Sequence, residues 1–180
     1  MRKLLLLVLV LITTACNSYL WDSSVNPPQA EKISDMATVY YFIRHAEKDT
    51  SDPKEKDPDL IEAGIRRAEK WAEVFKDISF DHIYSSNYKR TRATAQAIAN
   101  SQKKEVEIYD PSKLNDENFQ KKTKGKTVLV VGHSNTNPKF VNLILEEEKF
   151  EDIPDEESGS LFIVSVFPDG RKDSQVLYIN

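Results

Sequence analysis

Apolar runs alternate with helical patterns along most of the chain. Four short runs rich in apolar and β-branched residues predict strands at 38–43, 80–86, 105–110 and 126–135. Two helices are predicted over 88–100 and about 137–146, and an earlier helix would bury Ile61, Ile65, Ala68, Ala72 and Phe75 on one face. Residues 160–179 predict two more strands joined by a Pro-Asp-Gly turn.

Strand and helix alternate four times, and this order predicts an α/β fold. We expect a three-layer architecture with a mostly parallel central sheet flanked by helices, to which the C-terminal hairpin adds an antiparallel edge. The predicted domain covers residues 37–180.

Residues 1–15 have the pattern of a signal peptide. Arg2 and Lys3 precede the apolar run Leu4–Ile12, and small residues follow it. A membrane span needs about 20 apolar residues, so this run is too short for one. Residues 16–36, with two prolines and no periodicity, indicate a tether between an anchor and the domain.

Cys16 is the only cysteine, so the chain cannot form an internal disulfide. Its place directly after "TTA" resembles a bacterial lipoprotein signal, in which the cysteine becomes the acylated first residue. This predicts an exported protein of the bacterial cell envelope, lipid-anchored to a membrane. The alternative is ordinary cleavage after Ala15, which would release a soluble exported protein with a free thiol.

The charge of the chain argues against a nucleic-acid partner. Removing Arg2 and Lys3, the only charges of residues 1–15, changes the formal net charge from −4 to −6. Acidic residues crowd 145–159, where we expect a solvated surface.

Unusual polar residues follow three of the predicted strands. The first strand ends in Arg44-His45, the second in Ser85-Ser86 with Arg90 and Arg92 close behind, and the fourth in Gly132-His133-Ser134-Asn135. In open α/β sheets, ligands bind beyond the carboxyl ends of the strands.

This combination of side chains predicts phosphoryl transfer. An imidazole can act as a nucleophile and carry a covalent intermediate. Guanidinium groups match phosphate oxygens in bidentate fashion, and helix starts add backbone N–H donors for an anion.

Three stretches then resemble the histidine phosphatase superfamily, also called phosphoglycerate mutase-like: "RHAEK" at 44–48, "YSSNYKRTRATA" at 84–95 and "VVGHSN" at 130–135. The resemblance implies that His45 is the nucleophile, that Arg44 and Arg90 bind phosphate, and that His133 hydrogen-bonds the phosphoryl oxygens. It further implies a compact phosphohistidine-phosphatase-like member that needs no metal or other cofactor. Its partner would be a phosphorylated small molecule or a phosphoprotein.

Other polar residues are less well defined by this resemblance. Glu47, Ser134 and Asn135 flank the two histidines and are candidates for orienting them or for local capping. His82 begins a strand away from the ligand edge and is expected to be structural. Arg92 lies two residues from Arg90 on the predicted helix, so it should face solvent or an acidic neighbour.

Many family members carry a carboxylate that protonates the leaving group. Asp110, Asp116 and Glu117 are the candidates here, and none fits the family pattern cleanly. A missing acid would matter less for good leaving groups such as phosphohistidine or an aryl phosphate.

The leading hypothesis is therefore a metal-independent phosphatase with a phosphohistidine intermediate on His45. One alternative is an accessory lipoprotein that binds phosphate without catalysis. A third is a metal site formed by His45, His133 and Glu47, which the two arginines would disfavour by repelling a cation.

Overall fold

The computed structural model describes residues 36–179, which lie within one compact unit, Glu31–Asn180. The predicted signal peptide, Cys16 and nearly all of the predicted tether lie outside the described residues, so these assignments stay predictions. Among residues 36–179, no helix combines the length and the apolar character needed to cross a membrane.

The described residues form six strands and four helices. Their order is the one that the sequence pattern indicates, except that one short helix of the four was not predicted. Their bounds are β1 Thr38–Arg44, α1 Glu62–Val74, β2 His82–Ser85, α2 Lys89–Gln102, β3 Glu107–Ile108, α3 Glu117–Thr123, β4 Thr127–Gly132, α4 Thr136–Leu145, β5 Ser160–Val166 and β6 Lys172–Tyr178.

The strands form one sheet in the order β3-β2-β4-β1-β5-β6. The neighbouring pairs β3–β2, β2–β4 and β4–β1 are parallel. β5 is antiparallel to β1, and β6 is antiparallel to β5. Gly170, with φ of +87°, lies in the turn between β5 and β6. The α/β fold with a mostly parallel sheet and an antiparallel C-terminal edge is therefore confirmed.

Alternate residues of each strand pack on opposite faces of the sheet, as the pleat requires. On one face, strand residues such as Phe42 and Val130 pack with Phe119 of α3 and Phe140 of α4. On the other face, strand residues including Ile43 and Val131 pack with Trp71 of α1 and Ile98 of α2. The two hydrophobic cores make the predicted three layers.

The predicted apolar face of α1 is partly wrong. Ile61 and Ile65 are 42% and 50% exposed, and the buried residues of the helix are Gly64, Ala68 and Trp71. A Cβ on Gly64 would lie 2.2 Å from the carbonyl oxygen of Glu47, so only glycine allows this close approach to the loop after β1. The buried stripe, which still includes Ala68 and Phe75, is rotated by roughly 50° from the predicted face.

The segment between α2 and β4 also differs from its prediction. The strand expected over 105–110 is reduced to the two residues of β3, and a helix that the pattern did not indicate, α3, follows it. Asp116 caps α3, because its side chain accepts a hydrogen bond from the backbone N–H of Phe119.

Candidate active site

The carboxyl ends of β1, β2 and β4 meet at one edge of the sheet and line a pocket of about 750 Å³. The backbone ladder continues just past the strands: the His45 N–H donates to Gly132 O, and the Ser86 N–H donates to Val131 O. Arg44, His45, Arg90 and His133 all line this pocket. The structure therefore brings together the four residues that the sequence motifs singled out.

His45 is 4% exposed and its ring is held by one backbone contact. Nδ1 lies 2.8 Å from the carbonyl oxygen of Ala46. Because a carbonyl only accepts, Nδ1 carries the proton and Nε2 keeps its lone pair. Burial lowers the pKa of His45 to about 3, and the positive charges of Arg44 and Arg90 contribute to the shift. The ring is thus neutral near pH 7, with Nε2 available as a nucleophile.

His133 faces His45, with the two ring centroids 5.4 Å apart. Its Nε2 lies 2.9 Å from Ser86 Oγ, which in turn donates to Thr91 Oγ1. Since Thr91 donates its own proton to a backbone carbonyl, Ser86 accepts from a protonated Nε2. Nδ1 then presents its lone pair to Nη2 of Arg90 at 3.5 Å. Burial chiefly lowers the pKa of His133 to about 4, and Arg90, Arg44 and Lys48 add to the effect.

Arg90 extends from the first turn of α2 into the pocket and is 9% exposed. Its guanidinium carbon lies 4.5 Å from the ring centroid of Tyr88, and Nη1 lies 3.5 Å from Asp57 Oδ1. Nε is buried and has no hydrogen-bond partner among the described residues. Arg92, in contrast, is exposed and donates to the side chain of Asn87. The helix geometry therefore separates the two arginines as the sequence predicted.

Arg44 is buried and is engaged by the loop between α4 and β5. Nη1 donates to the carbonyl oxygens of Pro154, Asp155 and Glu157, and Nη2 donates to the Asp155 carboxylate at 3.0 Å. Nε has no hydrogen-bond partner within residues 36–179. Because Nε is buried, the predicted phosphate contact of Arg44 would use Nη2 after the Asp155 side chain moves aside.

The other motif residues hold this arrangement in place. Thr94 Oγ1 donates to Arg90 O and accepts from the N–H of Ala46, so it joins α2 to the turn that carries His45. A Cβ on Gly132 would lie 2.1 Å from Asn137 Oδ1 and 2.8 Å from the Tyr109 hydroxyl. Glycine is thus required where β4 meets the start of α4.

Several predicted site residues lie elsewhere. Glu47 pairs with Arg67 at 2.7 Å and does not line the pocket, so it holds α1 rather than orienting a histidine. The metal set of His45, His133 and Glu47 is therefore not assembled, and residues 36–179 contain no other group of three His, Cys, Asp or Glu residues placed to hold a metal. Ser134 and Asn135 do line the pocket, and neither is seen to hydrogen-bond a histidine ring.

None of the three candidate acids lines the pocket. Asp110 accepts from Ser112, Asp116 caps α3, and Glu117 is exposed in the first turn of that helix. Within the segment 110–117, Pro111 is the residue that lines the pocket. His82, as expected, lies at the start of β2, where it pairs with Glu107 at 2.6 Å.

Four charged or aromatic residues of the pocket were not predicted: Lys48, Tyr88, Asp152 and Asp155. Lys48 and Tyr88 lie within the motif stretches 44–48 and 84–95, so their place in the motifs was a usable signal. The two aspartates belong to the acidic stretch 145–159, which carries no local signal that it turns toward the site.

Comparison with protein families and solved structures agrees with this geometry. The family model of the histidine phosphatase superfamily (branch 1) matches residues 40–119. A search among curated proteins gave no match.

Similar folds occur in several solved structures. A protein named as the phosphohistidine phosphatase SixA from Agrobacterium tumefaciens is 24% identical, with a TM-score of 0.58 over 79% of this chain and 98% of its own. A mycobacterial glucosyl-3-phosphoglycerate phosphatase is 14% identical, with a TM-score of 0.61 over 80% and 100%. A phosphoserine phosphatase from Entamoeba histolytica is 20% identical, with a TM-score of 0.58 over 79% and 97%.

At these identities the structural likeness shows the fold. The match to the family model and the meeting of the motif residues in one pocket are evidence beyond the fold. Residues 40–119 thus match the histidine phosphatase superfamily, and this match together with the phosphatase folds supports a hydrolase of the phosphatase type.

Proposed function

We propose that the protein is a metal-independent phosphatase that forms a phosphohistidine intermediate on His45. The observation that carries this proposal is the state of the His45 ring, which is neutral, oriented through Nδ1 and supplied with a free Nε2 lone pair at the floor of the pocket. Its substrate is a phosphorylated small molecule or a phosphorylated protein side chain.

In the first step, Nε2 of His45 attacks phosphorus while the bond from phosphorus to the leaving group breaks in line with the attack. Arg90 and Arg44, which line the pocket, bind the phosphoryl oxygens through their guanidinium groups. An arriving phosphate dianion favours a proton on His133 Nδ1, which then donates to a phosphoryl oxygen. In the second step, water attacks phosphorus, the N–P bond breaks, and inorganic phosphate leaves His45 neutral.

The leaving group must accept a proton in the first step, and none of Asp110, Asp116 and Glu117 lines the pocket to supply it. Asp155 does line it, but one of its carboxylate oxygens already accepts a hydrogen bond from Arg44. General acid catalysis contributes about 10²–10⁴-fold where it operates. We therefore infer a preference for leaving groups that depart easily, such as the imidazole of phosphohistidine or a phenol, over simple alcohols.

The test uses the protein domain, an aryl phosphate and a chelator. We expect turnover that EDTA leaves unchanged, together with a phosphoenzyme that is stable in alkali, labile in acid and assigned to His45 by peptide mass spectrometry. Activity that EDTA removes and a divalent metal restores would refute metal independence. Tight phosphate binding without any phosphoenzyme or turnover would favour the non-catalytic alternative.

We further propose that the protein is exported and anchored through an acylated Cys16, because a basic start, an apolar run and "TTAC" precede the tether. Replacing Cys16 with serine is then expected to move the protein from the membrane fraction to the soluble fraction, as judged by fractionation and immunoblotting. A wild-type protein already found in the soluble fraction would contradict the anchor and favour cleavage after Ala15.

A further inference from the structure

The loop between α4 and β5 is fixed at the edge of the active site. Ile153 buries its side chain in the hydrophobic core, and its N–H donates to Ser134 O at 2.9 Å. Nη1 of Arg44 donates to three carbonyl oxygens of the same loop. The loop is therefore held from the ends of both β1 and β4.

This loop presents two carboxylates to the pocket, Asp152 and Asp155, which we call the acidic rim. Asp152 is exposed, and its carboxylate has no hydrogen-bond or ion-pair partner among residues 36–179. Asp155 uses one oxygen for Arg44, and its side chain is still 87% exposed. Asp152 thus adds a negative charge that no described residue pairs with, and Arg44 offsets the charge of Asp155 only in part.

The floor of the pocket has the opposite character. Arg44 and Arg90 line this cavity, and their Nε atoms are buried without a hydrogen-bond partner in the described part of the chain. Lys48, the third cation of the pocket, lies close enough to contribute to the lowered pKa of His133. These groups call for an anion at the floor, so the pocket is positive at its base and negative at the acidic rim.

The direction of attack by His45 determines where the two parts of a substrate lie in the pocket. A leaving group departs opposite the attacking Nε2 of His45, so it occupies the part of the pocket beyond the phosphoryl group. Asp152 and Asp155 line the same pocket, where Asp155 pairs with Arg44 and Asp152 is exposed. A carboxylate attracts a cation and repels an anion there, with a modest effect because both carboxylates contact water.

We propose that the acidic rim makes the enzyme selective for phosphorylated compounds whose leaving group carries a positive charge, such as an ammonium group. This inference rests on the proposed function and specifies its substrate class. The acidic rim also disfavours leaving groups that carry a second negative charge.

The experiment compares three aryl phosphates that differ only at the position para to the phosphate ester, with an aminoethyl, a propyl or a carboxyethyl group. Their phenols are similar leaving groups, so differences in kcat/KM report on the substituent charge. For the wild type we expect the order aminoethyl, propyl, carboxyethyl, and a preference that declines as salt is added. Replacing both rim residues, Asp152→Asn and Asp155→Asn, is expected to lower the aminoethyl-to-carboxyethyl ratio by about tenfold.

Glu156→Gln is the matched control, because Glu156 is an exposed acid of the same loop that does not line the pocket. It should leave the ratio unchanged. Equal wild-type rates for the three compounds, or equal changes of the ratio in the control and the rim variants, would overturn the selectivity and leave the phosphatase proposal intact. Absence of turnover with all three compounds would overturn the proposed function, and this inference with it. If the double variant does not fold, the salt dependence of the wild-type preference still tests the selectivity, and a preference that salt does not change would contradict it.

Discussion

Replacing His45 with alanine is expected to reduce kcat by at least about 10⁴-fold, because no other group could then accept the phosphoryl group at the floor of the pocket. The phosphoenzyme should disappear in the same variant. Both are measured with an aryl phosphate under single-turnover conditions. A variant that keeps more than a few per cent of wild-type turnover would show that His45 is not the nucleophile.

The same variant needs a control for folding, and the low pKa of His45 supplies one. In the native protein this ring stays neutral down to a pKa of about 3, whereas in the unfolded chain it takes a proton below about pH 6.5. The unfolded state therefore binds more protons between these values, and the stability of the wild type falls as the pH falls through this window.

His45→Ala lacks this contribution, so its stability should decline less on acidification. Between pH 7 and pH 5 the difference in unfolding free energy between wild type and variant should change by about 2 kcal/mol in favour of the variant. Urea unfolding at the two pH values measures it. A difference that does not change with pH would mean that the ring is not buried as a neutral imidazole.

The residues around His45 illustrate what local sequence can predict. The strand pattern runs directly into Arg44 and His45, and the same happens at His133, so placing both histidines at one sheet edge needs only the parallel order of the strands. The strands β1, β2 and β4 of the parallel part and three of the helices follow from the sequence pattern in the same way. These features depend on residues that lie close together in the chain, so the local sequence is enough to predict them.

The acidic rim shows why the rest was not predictable. Asp152 and Asp155 reach the pocket because Arg44 donates to carbonyl oxygens 110 to 113 residues further along the chain, and backbone carbonyls are the same in every sequence. The face of α1 was mispredicted for a related reason. Its orientation depends on the close approach of Gly64 to the loop at Glu47, a tertiary contact that outweighs the apolar pattern of Ile61 and Ile65.

Replacing Arg90 is the second change for which we expect a large effect, and Arg92 on the same helix is its matched control. Two residues separate them by roughly 200° around the helix axis. Arg90 is buried beside His133, whereas Arg92 is exposed and its guanidinium group donates to Asn87. Only Arg90 can therefore bind a phosphoryl group in the pocket.

Losing a charge-assisted bidentate contact to the transferring phosphoryl group should raise the barrier by about 2–4 kcal/mol, or roughly 30- to 1,000-fold in kcat/KM. Arg90→Ala also leaves the Asp57 carboxylate without its guanidinium partner near the site, which adds repulsion toward an anionic substrate. Arg92→Ala removes one exposed contact, worth about 0–1 kcal/mol of stability at most, and should leave kcat/KM nearly unchanged.

Lysine at position 90 distinguishes charge from shape. It keeps a positive charge, but it lacks the planar fork that binds two phosphoryl oxygens and stacks on Tyr88. We therefore expect Arg90→Lys to recover only part of the activity that Arg90→Ala loses, with melting temperatures of all three variants close to that of the wild type. Equal kinetic losses in Arg90→Ala and Arg92→Ala, with both proteins folded, would contradict the assignment of Arg90 to the phosphoryl group. Full recovery by lysine would mean that the pocket needs a charge at this position and not a bidentate contact.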